Sequence, residues 1–369
     1  MTNNNHNLHL DGLRGIAILI VIFFHYFTGF YIFDFGWSGV DLFFILSGYL
    51  LSGRILPYLA DKKIIWKFYF NRILRIIPLY FSFLLIFYLF FYFVASNETQ
   101  NLSEQLKHPF IYFSFLCNWM FISNFNSVQH QLSHLWSLSV EEQFYLIFPV
   151  YIFAIKRKKL LLKLTIGIIA AILVSRCIHC IFIKENEYLK IYWNTFYRID
   201  CFFTGLVIYL LKENGFLNRY YKWMSIILII SILLILIGGI CEETFRVNLF
   251  FVSIGFTLVA IAYGCIVVFA ITEKDNFLKR ITSNSGLIFF GKISFGLYIF
   301  HWPIYLTMFS LTNFLVRKSG LIFSSSYIQL INIIASFTLV TIISFLSFKY
   351  YESIFLKWKI KPEQPKILI

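Results

Sequence analysis

Apolar runs of about 18 or more residues recur along almost the whole chain, each long enough to cross a bilayer as a helix. They lie near 12–31, 35–53, 78–96, 135–155, 160–182, 193–211, 223–240, 248–271, 293–312 and 328–348. This pattern predicts an all-α fold, a polytopic transmembrane bundle of about ten spans. The first run has no basic leader or small-residue cleavage site, so it reads as a retained helix rather than a signal peptide. The longest stretch outside the spans is 97–134, which leaves no room for a separate soluble domain, so 1–369 is expected to be one membrane domain.

The polar positions that interrupt these runs carry the chemistry. In "LDGLRGIAILIVIFFHYF" Arg14 and His25 stand eleven residues apart. That spacing turns a helix about 20° past three full turns, so both side chains share a face, roughly 16 Å apart along the axis. Ionisable groups in a span are costly and normally face a cavity or a partner. Other spans place polar groups at similar depth. Asp41 enters in "GWSGVDLFFILSGYLLSGR", close enough in level to orient His25 as a general base. In "HLWSLSVEEQFYLIFP" His134, Ser137, Glu141 and Tyr145 form one helical stripe. Glu141 is therefore expected in the cavity. Glu142, on the leucine face, is expected to partner a cation such as Arg176 or Arg198. Arg198 and Asp200 in "YRIDCFFTG" are about 200° apart on their helix, so each needs a partner on another helix. "ISFGLYIFHWP" stacks Ser294, Tyr298 and His301 on one face, with Pro303 able to kink it.

Composition fixes the setting. With 59% hydrophobic and 14% charged residues, a soluble fold is excluded. The net charge of +14 invites a nucleic-acid reading, but its distribution argues against one. With the N-terminus inside, 23 of the 32 Lys and Arg fall in inner segments and 6 in outer ones. That bias places both termini in the cytoplasm and explains the charge without nucleic acid. The six cysteines lie mostly in spans, and Cys177 and Cys180 of "CIHC" lack a second ligand pair, so they read as packing residues and no metal is expected. Sequons at Asn97 and Asn101 carry no weight outside a secretory pathway.

A second cluster precedes the third span, in "WKFYFNRILRIIPLYF". Arg72 and Arg75 are one turn apart and project together, with Lys62, Lys63 and Lys67 before them. Paired guanidinia suit phosphate recognition, whereas the lysines read as topology signals. The glycines of "GWSGV" and "LSGYLLSG" lead to no Lys-Ser/Thr, so they read as close helix packing rather than a phosphate loop.

The segments "LDGLRGIAILIVIFFH", "GVDLFFILSGYLL", "NRILRIIP", "HLWSLSVEEQFYLIFP", "YRIDCFFTGL" and "ISFGLYIFHWP" together resemble, in order, the acyltransferase 3 family of membrane O-acyltransferases that modify bacterial surface glycans. The resemblance implies acyl-CoA, usually acetyl-CoA, as donor substrate, with no bound cofactor. It implies a carbohydrate acceptor outside, such as lipopolysaccharide O-antigen, exopolysaccharide or a lipid-linked precursor. It further implies the inner membrane of a bacterium, and a periplasmic or glycan-assembly partner. By the same resemblance the essential Arg-x10-His pair maps onto Arg14 and His25, the Arg-x-x-Arg element onto Arg72 and Arg75, and the Trp-Ser-Leu-x-x-Glu-Glu segment onto Trp136 to Glu142. The chain end departs from the pattern: "YYESIFLKW" keeps Glu352 but has Ile354 where members often carry proline, and no fused hydrolase-like domain is expected.

Both lines give one mechanism. Arg72, Arg75 and Arg14 hold the CoA phosphates and adenine at the inner mouth, and the thioester reaches His25. His25, oriented by Asp41 or Glu141, deprotonates the acceptor hydroxyl or itself carries the acyl group. Tyr298, His301 and Ser47 are the candidate oxyanion donors. The rival reading is a transporter or flippase of a lipid-linked or anionic substrate, which uses similar midplane charges but predicts paired inverted halves that the sequence does not show.

Overall fold

The computed structural model describes residues 2–61, 63–94, 107–124, 131–184, 187–242, 244, 246–272, 274–319 and 324–360. Lys62, Asn97 and Asn101 lie outside them. Among the described residues every regular element is helical: α1 (Thr2–Tyr26), α2 (Gly39–Ile55), α3 (Ile64–Val94), α4 (Trp136–Ile155), α5 (Lys158–Phe182), α6 (Thr195–Glu213), α7 (Tyr221–Cys241), α8 (Phe256–Ile271), α9 (Ser285–Lys292), α10 (Ser294–Ser319), α11 (Ser325–Leu346) and α12 (Ser353–Leu356), with further short, unlabelled helices and turns between them. Nine helical segments among the described residues are long and apolar enough to cross a membrane. The chain is a polytopic helical membrane protein. The expected span at 193–211 is α6, which is not among the nine: it carries Arg198, Asp200, Lys212 and Glu213. Those charges are tolerable because α6 is packed inside the bundle, its Arg198 and Asp200 buried.

The third span starts earlier than hydropathy suggested. α3 runs unbroken from Ile64 with Pro78 inside it, so Arg72 and Arg75 are helical residues within the bundle and not part of a preceding loop. The short helix α9, read from sequence as part of an inner loop, lies along the inner half of α1.

The centre is organised by one close crossing. A side chain on Gly48 of α2 would run into the Phe202 carbonyl of α6, and one on Gly205 would run into the Ile45 carbonyl. Small residues here let the two backbones touch, as expected. Asp41 lies seven residues before Gly48 and Arg198 seven before Gly205. Seven residues are nearly two helical turns, so the crossing brings Asp41 and Arg198 into register on facing sides. They form an ion pair with both side chains fully buried, and Arg176 of α5 closes on Asp200 at 2.8 Å. Arg198 also lies 4.2 Å above the Phe256 ring. This is the interhelical pairing that the 200° offset required, and it corrects two expectations. Asp41 is held by Arg198 rather than by His25. Glu142 partners neither Arg176 nor Arg198, because Asp200 and Asp41 occupy them.

Candidate functional site

Three cavities follow one another through the bundle, named inner and outer by the side that the positive-inside bias predicts. The inner one, about 390 Å³, is lined by Arg54, Lys67, Asn71 and Arg72 and by the chain after α12, including Lys357 and Lys359. A narrow one, about 60 Å³, is lined by Arg14, Ser47, Arg75, Ser137, Glu141 and Tyr298. The outer one, about 380 Å³, holds His25 and His134 among Trp37, Trp136, Tyr192 and Trp193, with Asp34 and Arg246 at its edge. Val40 and Tyr298 line both the narrow and the outer cavity, so these two adjoin. Arg14 and His25 thus sit on one face of α1 at successive levels of the same passage, as their spacing requires.

The inner cavity is a site for an anion by charge alone. Arg14, Arg54, Arg72 and Arg75 make no ion pair among the described residues. Lys359 reports their combined field: burial, then Arg75, Arg54, Arg72 and Arg14, push its ammonium down to about 7. Arg72 stands 4.5 Å over the Tyr145 ring, and the Tyr145 hydroxyl donates to Glu141 Oε1. Ser47 donates to the same oxygen at 2.6 Å. The chain Arg72–Tyr145–Glu141–Ser47 therefore forms the partition between the inner cavity and the narrow one. Glu141 faces the passage as expected, but its contacts are Ser47 and Tyr145, not His25. Lys67, read as a topology signal, instead pairs with Asp61 at 3.1 Å and lines the inner cavity.

At the outer level the structure replaces the expected carboxylate–imidazole pair with imidazoles. His25 makes no side-chain hydrogen bond among the described residues, and its ring lies 5.1 Å from that of His301 and 4.8 Å from Trp302. His301 Nδ1 donates to the Tyr298 carbonyl at 2.8 Å. A carbonyl can only accept, so Nδ1 carries the proton and Nε2 is a bare acceptor, buried without a partner. His134 Nε2 likewise donates to the Ile299 carbonyl at 3.1 Å. Its ring lies 5.1 Å from His301.

These tautomers remove the candidate oxyanion donors. Neutral His301 offers no free N–H. The Tyr298 hydroxyl donates to the His134 carbonyl at 2.5 Å, and the Ser137 hydroxyl lies at the same distance from it. Ser47 is committed to Glu141. The Trp136 indole N–H lines the outer cavity without a hydrogen bond among the described residues, as do the Thr28 and Ser133 hydroxyls. The sequence reading missed Arg54, Lys357 and Lys359 of the inner cavity and Asp34, Trp37, Tyr192, Trp193 and Arg246 of the outer one. The inner three each sit where the positive-inside rule already accounts for a cation, so their position carried no separate signal.

The fold and site define a polytopic membrane protein with a basic chamber at one end, an outer chamber of imidazole and aromatic groups, and a narrow cavity between them. Residues 7–349 match the Acyltransferase domain of the acyltransferase 3 family, and the chain belongs to that family. It is 29% identical over 322 residues to the peptidoglycan O-acetyltransferase OatA of Listeria monocytogenes, covering 80% of this chain and 49% of that protein. It is 30% identical over 318 residues to the O-acetyltransferase OatA of Staphylococcus aureus, covering 80% of this chain and 50% of that protein. The chain therefore spans about half the length of these relatives. No solved structure matches it.

Proposed function

We propose that the protein transfers an acyl group, acetyl in the first instance, from cytoplasmic acyl-CoA to a hydroxyl of a cell-surface glycan or its lipid-linked precursor. The carrying observation is the order of the cavities: unpaired guanidinia at one end, an imidazole at the other, and a cavity of only about 60 Å³ between them. Arg54, Arg72 and Arg75 suit the donor's phosphates, with charge-assisted hydrogen bonds. The narrow cavity past Arg14 and Glu141 suits the pantetheine arm. The thioester then reaches the outer chamber, where tryptophan and tyrosine faces suit the C–H faces of a sugar and Asp34 and Arg246 suit its hydroxyls.

His25 is the base. It removes the acceptor hydroxyl proton as the oxygen attacks the acyl carbon, and the thiolate of CoA leaves. His301, its tautomer fixed by the Tyr298 carbonyl, positions the His25 ring. Trp136 is the uncommitted N–H donor we assign to the developing oxyanion. The positive-inside bias supports a basic chamber that faces the cytoplasm, in this reading that of a bacterial inner membrane, and a periplasmic partner or glycan-assembly protein would receive or complete the product.

The test is release of CoA from acetyl-CoA by inverted vesicles supplied with lipid-linked glycan. Acceptor-dependent release that His25→Ala abolishes supports the reading. Release that persists unchanged in His25→Ala rejects His25 as the base, and glycan movement without CoA release favours transport.

A further inference from the structure

The inner cavity has one wall that does not belong to a span. After α12 the chain turns back across the inner face, and Asn71 of α3 pins it there with two reciprocal bonds. Asn71 Nδ2 donates to the Ile360 carbonyl and the Ile360 N–H donates to Asn71 Oδ1, each at 2.8 Å. Leu356, Lys357, Lys359 and Ile360 then face Arg54, Lys67 and Arg72 across the cavity. Lys67 is partly neutralised by Asp61. Lys359 makes no ion pair among the described residues, and no carboxylate lines this cavity. This wall lies beyond residue 349, where the family match ends.

An ammonium packed against guanidinia without a counter-ion is costly, and the arrangement becomes favourable when a multivalent anion enters. We infer that residues 357–360 are the closing wall of the donor-phosphate site, and that Lys359 binds donor phosphate there, favouring donors that carry a nucleotide over those that carry pantetheine alone. This rests on the acyl-CoA reading above. Groups acting on Lys359 from the packed elements are Arg14 on α1, Arg54 on α2, Arg72 and Arg75 on α3, and Glu352 before α12. The arginines and burial hold the free ammonium near 7. Above that pH a bound phosphate must draw a proton onto Lys359, so affinity falls by up to about tenfold per pH unit.

Binding of acetyl-CoA and of S-acetylpantetheine to the purified full chain in nanodiscs, read by calorimetry, tests this. Lys359→Met is expected to weaken acetyl-CoA about 10- to 100-fold, as for loss of one hydrogen bond to a charged group, and to leave S-acetylpantetheine unchanged. Asn71→Ala, which frees the wall, is expected to act in the same direction. Lys359→Arg is expected to keep the affinity and flatten its fall above pH 7, the wild type serving as control for titration of the ligand itself. Equal weakening of both ligands by Lys359→Met would overturn the inference in favour of a structural role, as would no weakening of either. If the wild type binds S-acetylpantetheine as well as acetyl-CoA, the phosphate site is overturned while a thioester donor survives. If it binds neither, the donor reading itself falls.

Discussion

The ring of His301 lies 5.1 Å from that of His25, and its Nδ1–H is spent on the Tyr298 carbonyl of its own helix. What His301 presents to its surroundings is therefore a bare Nε2, an acceptor and not a donor. The two amide replacements separate these atoms. Asparagine reproduces the Nδ1 donor and loses the Nε2 acceptor, while glutamine reaches the Nε2 position. His301→Gln is expected to keep more kcat than His301→Asn, with the loss in the latter reaching about a hundredfold if a mispositioned base is the cause. Equal kcat in both variants would reject His301 as the residue that positions His25.

Asp41 and Arg198 are expected to behave as a folding pair. Removing one partner of a buried ion pair typically costs about 3–5 kcal/mol, because the other charge is stranded. Asp41→Ala and Arg198→Ala should each lower the amount of folded protein recovered in detergent, and the double variant should lose less than the two single losses added together. Folded Asp41→Ala protein with normal thermal stability and no turnover would instead return Asp41 to the catalytic group.

The positions of Asp41 and Glu142 also show how far the sequence could be read. Helical periodicity located the polar stripes, because period and depth are properties of one helix. The spacing of Arg14 and His25, the stripe from His134 to Tyr145, and the need of Arg198 and Asp200 for outside partners were all legible in this way. Which helix supplies the partner was not legible, since it depends on the crossing at Gly48 and Gly205. That crossing assigns Asp41 to Arg198 and leaves His25 to the imidazole of His301. The inner chamber was only half legible: Arg72 and Arg75 stood out as a pair, but Arg54 and Lys359 were hidden among cations that topology already explained. The reciprocal bonds of Asn71 to Ile360 join residues 289 positions apart, a contact no local pattern encodes.

Trp136 offers a lining N–H, besides that of His25 itself, that is not spent on a protein acceptor among the described residues. Loss of one oxyanion donor typically lowers kcat about 10²- to 10³-fold. Trp136→Phe, which keeps an aromatic face, is expected to fall in that range with little change in acceptor KM. A raised KM with kcat preserved would assign Trp136 to sugar packing instead.

Lys359 gives the stability of the free protein a definite pH dependence. Its folded value, near 7, lies below that of an unfolded lysine, so between the two the unfolded chain binds the extra proton. Stability from this group therefore rises as pH increases from 7 toward 10, and below 7 the folded state carries the charged ammonium at its full cost. In thermal unfolding, Lys359→Met should exceed the wild type most at pH 6, with the gap closing steadily above pH 7 and vanishing only beyond about pH 10. A pH-independent difference between the two would show that Lys359 is not shifted by its neighbours.

Glu141 separates a wall residue from a partner of the base. Both hydrogen bonds to it, from Ser47 and Tyr145, end on the one oxygen Oε1, which glutamine can present equally well. Glu141→Gln therefore keeps the partition between the inner chamber and the narrow cavity while removing the negative charge. Because Glu141 makes no contact with His25, this variant is expected to hold kcat within about tenfold of wild type, well short of the 10²- to 10⁴-fold attached to loss of general-base catalysis. Glu141→Ala leaves the Ser47 hydroxyl without its acceptor and Tyr145 with only Ser47 Oγ, 3.3 Å away, which loosens Tyr145 beneath Arg72, so it should lower both folded yield and donor affinity. Steady-state kinetics of the two variants in vesicles decide the matter. If the glutamine variant is as inactive as the alanine one, the carboxylate charge itself is needed, and Glu141 must reach the imidazole in a state of the passage other than this one.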